Sequence, residues 1–384
     1  MTDRVMDITR LLYRTLTNRL PTGVDRVALE YLRYGGQQAQ ALVRLGGHWL
    51  LLPHHHSQVL FAGLLSTDPA HIIRSNLWRL ATGLATWKQK KAPLILLKTD
   101  HGDVNNSNYV QQLQNRPWRA VFFIHDLIPI SHPEYCRPQE GEKHHRRLQN
   151  MLALGSGVIV NSEATRHALH HYAHQQGWRL PPCLVAPLAP AQLPPAAPGR
   201  PLAHRYFVML GTIEPRKNHL FILQLWRNLV EKYGEDAPQL VIIGRRGWEC
   251  EQVVDLLDRS PALAGRVIEI QKCDDGQLAT WLFHAQALLF PTFSEGFGLP
   301  MYEALALGVP VIASNLAVFR ETAGAVPDYR HPLDGPGWLE LIQDYHHGHS
   351  PARQAQIQRM QTLHLPTWAN HWQSVENFLS EIHG

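Results

Sequence analysis

Glu295 and Glu303 stand eight residues apart in the string SEGFGLPMYEALALGVPVIAS, residues 294–314. Between them lie Gly296, Phe297, Gly298 and Leu299, directly after the apolar run ALLFPTF. A glycine-rich loop that feeds a helix offers free backbone N–H groups and the positive end of the helix dipole to an anion. Pro300 suits the first helical turn, where its missing N–H costs nothing. Gly308 then stops the helix and VPVIAS returns as a strand. A carboxylate beside an anion site is unfavourable unless it has another target, such as the vicinal hydroxyls of a ribose. Glu295 and Glu303, the latter expected in the first helical turn, therefore flank a phosphate-sized pocket. The string is no dinucleotide fingerprint, because the third glycine is missing, and no G-K-[ST] phosphate loop occurs in the chain.

Such groups need strands and helices to hold them. The runs APLILL, RAVFFIHD and SGVIVNS precede a proline-rich stretch, and RYFVMLG, PQLVIIG, RVIEI, QALLFPTF and PVIAS follow it. Short apolar runs separated by helical patterns are the mark of parallel strands covered by helices on both faces. Both halves thus read as α/β open-sheet domains. Several runs end in polar or glycine residues (IHD, VNSE, MLGTIEPRKN, IIGRRG, FSEGFG), at the carboxyl ends of strands where open parallel sheets bind ligands. Residues 181–204, PPCLVAPLAPAQLPPAAPGRPLAH, read as an extended linker.

Composition bounds the partners. The 384 residues suit two domains, and 45% hydrophobic with 9% aromatic content supports folded cores. A formal net charge of +4 suits anionic small molecules or an acidic membrane surface and is too weak to indicate nucleic acid. Cys136, Cys183, Cys250 and Cys273 are far apart, with no C-x-x-C pair, and read as isolated buried thiols in a reducing compartment. His167 and His171 have helical zinc spacing, but no H-E-x-x-H or Cys/His cluster accompanies them, so no metal site is expected. MTDRVMDITRLLYRT lacks a signal-peptide core, and no apolar run is long enough to span a bilayer. A cytoplasmic protein, soluble or peripheral at the inner face of the plasma membrane, is expected.

SEGFGLPMYEALALGVPVIAS resembles the E-x7-E donor-site signature of family-four retaining glycosyltransferases, which have the GT-B fold. GTIEPRKNH at 211–219, FIHDLIPISHPEY at 123–135, VNSEATR at 160–166 and PTGVDRV at 21–27 match further segments of that family. The resemblance implies two Rossmann-like open-sheet domains facing a cleft: 1–195 binding the acceptor, joined by a C-terminal helix 366–384, and 196–365 binding a nucleotide-sugar donor. It implies that Glu303 holds the ribose, and that Glu295 with the backbone of Gly296, Phe297, Gly298 and Leu299 faces the donor sugar and phosphates. Arg216 and Lys217, beside Gly211 and Thr212, would clamp the diphosphate in place of a metal; Thr212 departs from the basic residue many relatives carry there. His125 would face the reacting hexose with Asp126 orienting it. Gly23 would admit the diphosphate, and Arg26 and His101 would serve the acceptor. No cofactor is implied beyond the donor substrate.

The implied activity is transfer of a hexose, preferentially mannose from GDP-mannose, to a glycan or lipid-linked acceptor in bacterial surface polysaccharide assembly, metal-independent and retaining. UDP- or dTDP-sugar donors, a nucleotide-sugar epimerase of the same fold, and a degenerate scaffold are the alternatives. Two further expectations concern surfaces. Trp368, Trp372, Val375 and Phe378 recur at helical spacing, so the last helix should pack back on the first domain. Ile73, Leu77, Leu80, Leu84 and Trp87, with a rim of Arg74, Arg79, Lys88, Lys90 and Lys91, form an amphipathic stretch that either covers its own sheet or meets anionic lipid.

Overall fold

A computed structural model describes residues 4–83 and 93–383. The chain divides into two compact units: Met1–Ser131, Gln139–Leu188 and Pro366–Gly384 form one, His132–Pro138 and Ala189–Leu365 the other.

In the first unit the strands are β1 (Arg4–Asp7), β2 (Ala39–Leu45), β3 (His48–Leu51), β4 (Ile95–Lys98), β5 (Arg119–Ile124), β6 (Gly155–Val160) and β7 (Cys183–Val185). They lie in the order β3-β2-β1-β4-β5-β6-β7. All pair in parallel except β2 with β3. That hairpin turns on Gly46 and Gly47, whose φ of 57° and 81° favour residues without a Cβ. Val5, Leu96, Phe122 and Val158 fill the core with Leu148 and Met151 of the helix Glu140–Leu154.

The second unit orders β8 (Tyr206–Leu210), β9 (Gln239–Ile243), β10 (Val267–Ile270), β11 (Leu288–Phe290), β12 (Val311–Ser314) and β13 (Asp328–Arg330) as β10-β9-β8-β11-β12-β13. Every pairing is parallel. Phe207, Ile242, Leu289 and Ile312 are buried there with Trp226 and Trp338. In both sheets the strand order reverses, at β1/β4 and at β8/β11, and such switch points open a crevice beyond the carboxyl ends of the strands.

Two boundaries differ from expectation. The stretch 181–204 is not one linker: Cys183–Val185 adds to the sheet as β7, parallel to β6. The chain passes to the second unit at Ala189, not at 196. Ala197 donates its N–H to Thr280 (3.0 Å), and its carbonyl oxygen lies 2.9 Å from His284 Nε2. The four cysteines are free, and Cys250 alone among them is buried.

The C-terminal helix Trp368–His383 lies in the first unit with Trp368, Trp372, Val375 and Phe378 buried. Its aromatic rings lie where glycines leave room: side chains on Gly35 and Gly157 would run into Trp372 and Phe378. Arg4 fastens it with two hydrogen bonds to Glu376, at 2.6 and 2.5 Å. Among the described residues the amphipathic stretch begins as the helix Pro69–Asn76, with Ile73 its buried residue, followed by a 3-10 turn Leu77–Ala81. Leu84, Trp87, Lys88, Lys90 and Lys91 lie outside the described residues. Among the described residues no helix is long and apolar enough to cross a membrane.

Candidate functional site

At the β8/β11 switch point the second unit gathers two loops. After β8 the chain runs through Gly211 (φ 138°) into Glu214 and a 3-10 turn Pro215–Lys217, then Asn218 (φ 60°) opens the helix His219–Tyr233. Asn218 holds this left-handed position by donating to the carbonyls of Pro291 (3.1 Å) and Pro332 (2.9 Å). The neighbouring loop after β9 comes so close that a side chain on Gly244 would run into the Gly211 carbonyl. After β11, Thr292 donates to the carbonyls of Arg216 (3.0 Å) and Ser294 (3.1 Å), and Phe293 N–H donates to Arg216 (2.9 Å). The cationic turn and the glutamate loop are thereby one rigid piece.

The charges are balanced. Arg216 bridges Glu214 (2.7 Å) and Glu295 (2.8 Å), and Lys217 bridges the same Glu295 oxygen. Burial alone would raise the Glu295 pKa, but Arg216 and Lys217 hold it below the ordinary glutamate value. Burial pulls the Lys217 ammonium below its ordinary value, against the attraction of Glu295. Lys217 also lies 4.9 Å from the centre of the Phe290 ring. Two cations and two carboxylates are therefore packed side by side.

Gly298, with φ 105°, caps the helix Leu299–Ala306, and a side chain there would meet Phe319 at 2.7 Å. The helix starts earlier than its sequence indicates, so Glu303 sits in its second turn and not its first, and it is buried. The Phe297 ring is buried and stacked on Tyr302 (4.9 Å, 14°), which leaves its backbone as the part that could meet a ligand.

In the first unit His125 ends β5. Its Nε2 lies 2.8 Å from the Thr99 carbonyl, and burial lowers its pKa. Asp126 does not orient it: its carboxylate accepts from the Ile128 N–H (3.0 Å), while its carbonyl lies 3.1 Å from His144 Nε2. His101 packs between His125 (5.4 Å) and His144 (5.1 Å) with its pKa well below the usual imidazole value, burial leading and its histidine neighbours adding. Gly23 opens the helix Gly23–Gly35 behind a Thr22 cap; Arg26 is in its first turn. Asp25, gripped by Arg10 (2.7 Å) and Arg14 (2.8 Å), anchors that loop.

Sequence reasoning missed two groups. Glu214, the second carboxylate of the clamp, stood unread inside the quoted string GTIEPRKNH. At the β1/β4 switch point, buried Lys98 bridges Asp7 (3.0 Å) and Asp100 (2.8 Å), with Arg44 also on Asp7 (2.8 Å). Burial would raise the Asp7 pKa; Lys98 and Arg44 reverse that and hold it low. Strand-end Asp and Lys were the available signal there.

Residues 195–325 match the family model of glycosyl transferases group 1. Over this segment the chain is similar to the group 1 glycosyl transferases. The glycosyl transferase segment carries Arg216, Lys217, Glu295 and Glu303. Over 219 residues the chain is 29% identical to O-antigen chain mannosyltransferase B of Escherichia coli, covering 55% of this chain and 57% of that protein. Over 231 residues it is 28% identical to the serotype-specific mannosyltransferase WbdA of the same organism, covering 53% and 27%. The matches thus span little more than half of one relative and about a quarter of the other. An alpha,alpha-trehalose-phosphate synthase (UDP-forming) from Burkholderia vietnamiensis superposes with a TM-score of 0.61 at 12% identity, covering 100% of this chain and 99% of that one. The fold is accordingly GT-B.

Proposed function

We propose that the protein is a retaining hexosyltransferase that takes mannose from GDP-mannose and adds it to a glycan or lipid-linked acceptor in bacterial O-antigen or related surface polysaccharide assembly. The observation that carries this reading is the Arg216–Lys217 pair at the β8/β11 switch point, held against Glu295. Departure of a nucleoside diphosphate builds charge on its oxygens, and fixed cations in a site that needs no reorganisation stabilise it. Glu303, behind the Gly298 cap, takes the ribose hydroxyls, and the backbone at Gly296–Leu299 the phosphates. His125, kept neutral by burial, is assigned to the hexose. The mannose and O-antigen parts of the reading are supported by the names of the E. coli relatives.

Two arms test it. Thermal shift of the purified chain against GDP, UDP and dTDP should single out GDP. Mannose transfer from GDP-mannose to a lipid-linked glycan should survive EDTA undiminished, because Arg216 and Lys217 take the metal's place. Selective stabilisation by UDP would overturn the donor; loss of activity in EDTA with rescue by magnesium would overturn the metal-free clamp. Donor isomerisation without acceptor would favour an epimerase instead.

A further inference from the structure

A second cationic concavity lies at the opposite, amino-terminal end of the same sheet's central strands. Arg205 immediately precedes β8, and a cavity of about 370 Å³ opens beside it, lined also by Arg200, Arg353, His284, His347 and Phe283. That volume falls within the usual range for small-ligand sites, roughly 300–1,000 Å³. Among the described residues the lining contains no carboxylate. Arg205 donates to the His346 carbonyl (2.6 Å) and Arg353 to the Gln286 carbonyl (2.9 Å). These bonds orient the two half-buried guanidiniums without neutralising them. Among the described residues none of the three arginines makes an ion pair, and Arg200 makes no hydrogen bond. Asp344, nearby in sequence, is engaged by the Ser350 hydroxyl instead.

Converging guanidiniums repel, and partial burial raises that cost because water screens them less. Arg353 is pulled below its ordinary pKa by burial first and, against Tyr345, by Arg205. His346 is lowered as well, by burial and then, against a bond to Asp236, by Arg205. A natural chain offsets such a cluster with an anion, and planar guanidinium forks match phosphate oxygens. Phe283, 53% exposed on the rim, gives the mouth an apolar edge.

We propose that this cavity is a second anion site, distinct from the Arg216–Lys217 clamp, that binds a phosphate group through Arg200, Arg205 and Arg353. The inference does not rest on the proposed transferase reading, since it uses none of the same residues. A free phosphate compound and a phospholipid headgroup share the required chemistry, and the experiment separates them. Inorganic pyrophosphate is titrated calorimetrically into the full chain, and flotation is measured with phosphatidylglycerol and with phosphatidylcholine vesicles. Arg353→Gln should weaken whichever probe binds by roughly tenfold, the weight of a charge-assisted hydrogen bond. Arg200→Gln, which breaks no hydrogen bond and so leaves folding intact, should weaken it similarly. A Lys217→Ala control should retain the site. Pyrophosphate binding that depends on these arginines supports a free-anion site; flotation on phosphatidylglycerol that depends on them supports a headgroup site. If neither probe responds to Arg200→Gln and Arg353→Gln in folded protein, the proposal fails.

Discussion

Lys217 and Arg216 do not wait for a diphosphate as bare charges, because Glu295 already occupies both. On the proposed reading, an incoming phosphate would compete with that carboxylate. Removing the carboxylate and removing the cation should therefore act in opposite directions on binding. Lys217→Ala should weaken GDP by roughly 1.5–3 kcal/mol, the range for a hydrogen bond to a charged group. Glu295→Gln should leave GDP binding as tight or tighter, yet lower turnover by about a hundredfold, the scale set by loss of one preorganised contact. Calorimetry with GDP beside transfer rates checks both. Equal loss of GDP affinity in the two variants would show that Glu295 supports the clamp and does not compete with it. These residues were legible in the sequence because each follows an apolar run, where strand ends meet ligands. Glu214 was not, since a lone glutamate in a surface-like turn carries no sign of its partner. Glu303 was legible as a residue but not in its helical turn, because the helix start is set by the left-handed Gly298 and not by Pro300.

At the scale of elements, the β11 loop is held from a distant part of the chain. His132–Pro138 leaves the first unit's sequence and packs within the second. There Tyr135 stacks between His132 (5.6 Å, 12°) and Phe293 (5.4 Å, 10°), and its carbonyl accepts from Trp248 (3.2 Å). Phe293 is the residue before Ser294, whose carbonyl takes a hydrogen bond from Arg216 (2.6 Å). Offset aromatic pairs contribute about 0.5–1.5 kcal/mol beyond burial, enough to fix a loop tip. Tyr135→Ala should loosen the clamp and raise the KM for the donor several-fold, while Tyr135→Phe restores it because the stack needs no hydroxyl. Equal defects in both variants would locate the effect in the phenol oxygen and refute the positioning role. The strap could not be read from the sequence: SHPEY is visible, but its pairing with Phe293 joins residues that only the fold brings together. β4, β5, β6 and β8 to β12 were readable because each is a continuous apolar run. β1 and β2 were not, because Arg4, Asp7 and Gln40 interrupt their apolar pattern, and neither were β3, β7 and β13, three or four residues long at sheet edges.

The molecule as a whole carries buried neutral imidazoles in both units. His125, His144 and His371 lie in the first and His219 in the second, all with pKa values lowered foremost by burial. His371 is brought to about 4 and His219 to about 3, against 6.5 for a free imidazole. Below pH 6.5 the unfolded chain takes up these protons and the native chain does not. Stability therefore falls as pH falls, from 6.5 down to each native value, and is fully present above 6.5. The slope is roughly 1.4 kcal/mol per pH unit for each group, so His219 alone costs about 2 kcal/mol between pH 6.5 and 5. His219 is the sharpest case, since neither ring nitrogen has a hydrogen-bond partner. Its position at the start of the helix His219–Tyr233, two residues from Lys217, gives protonation no compensating acceptor. His219→Leu should therefore gain on the wild type as the solution is acidified, with urea midpoints close at pH 7.5 and the variant more stable at pH 5. A difference that stays the same at both pH values would mean that His219 accepts a proton in the native state, and the acid sensitivity of the second unit would have to arise elsewhere.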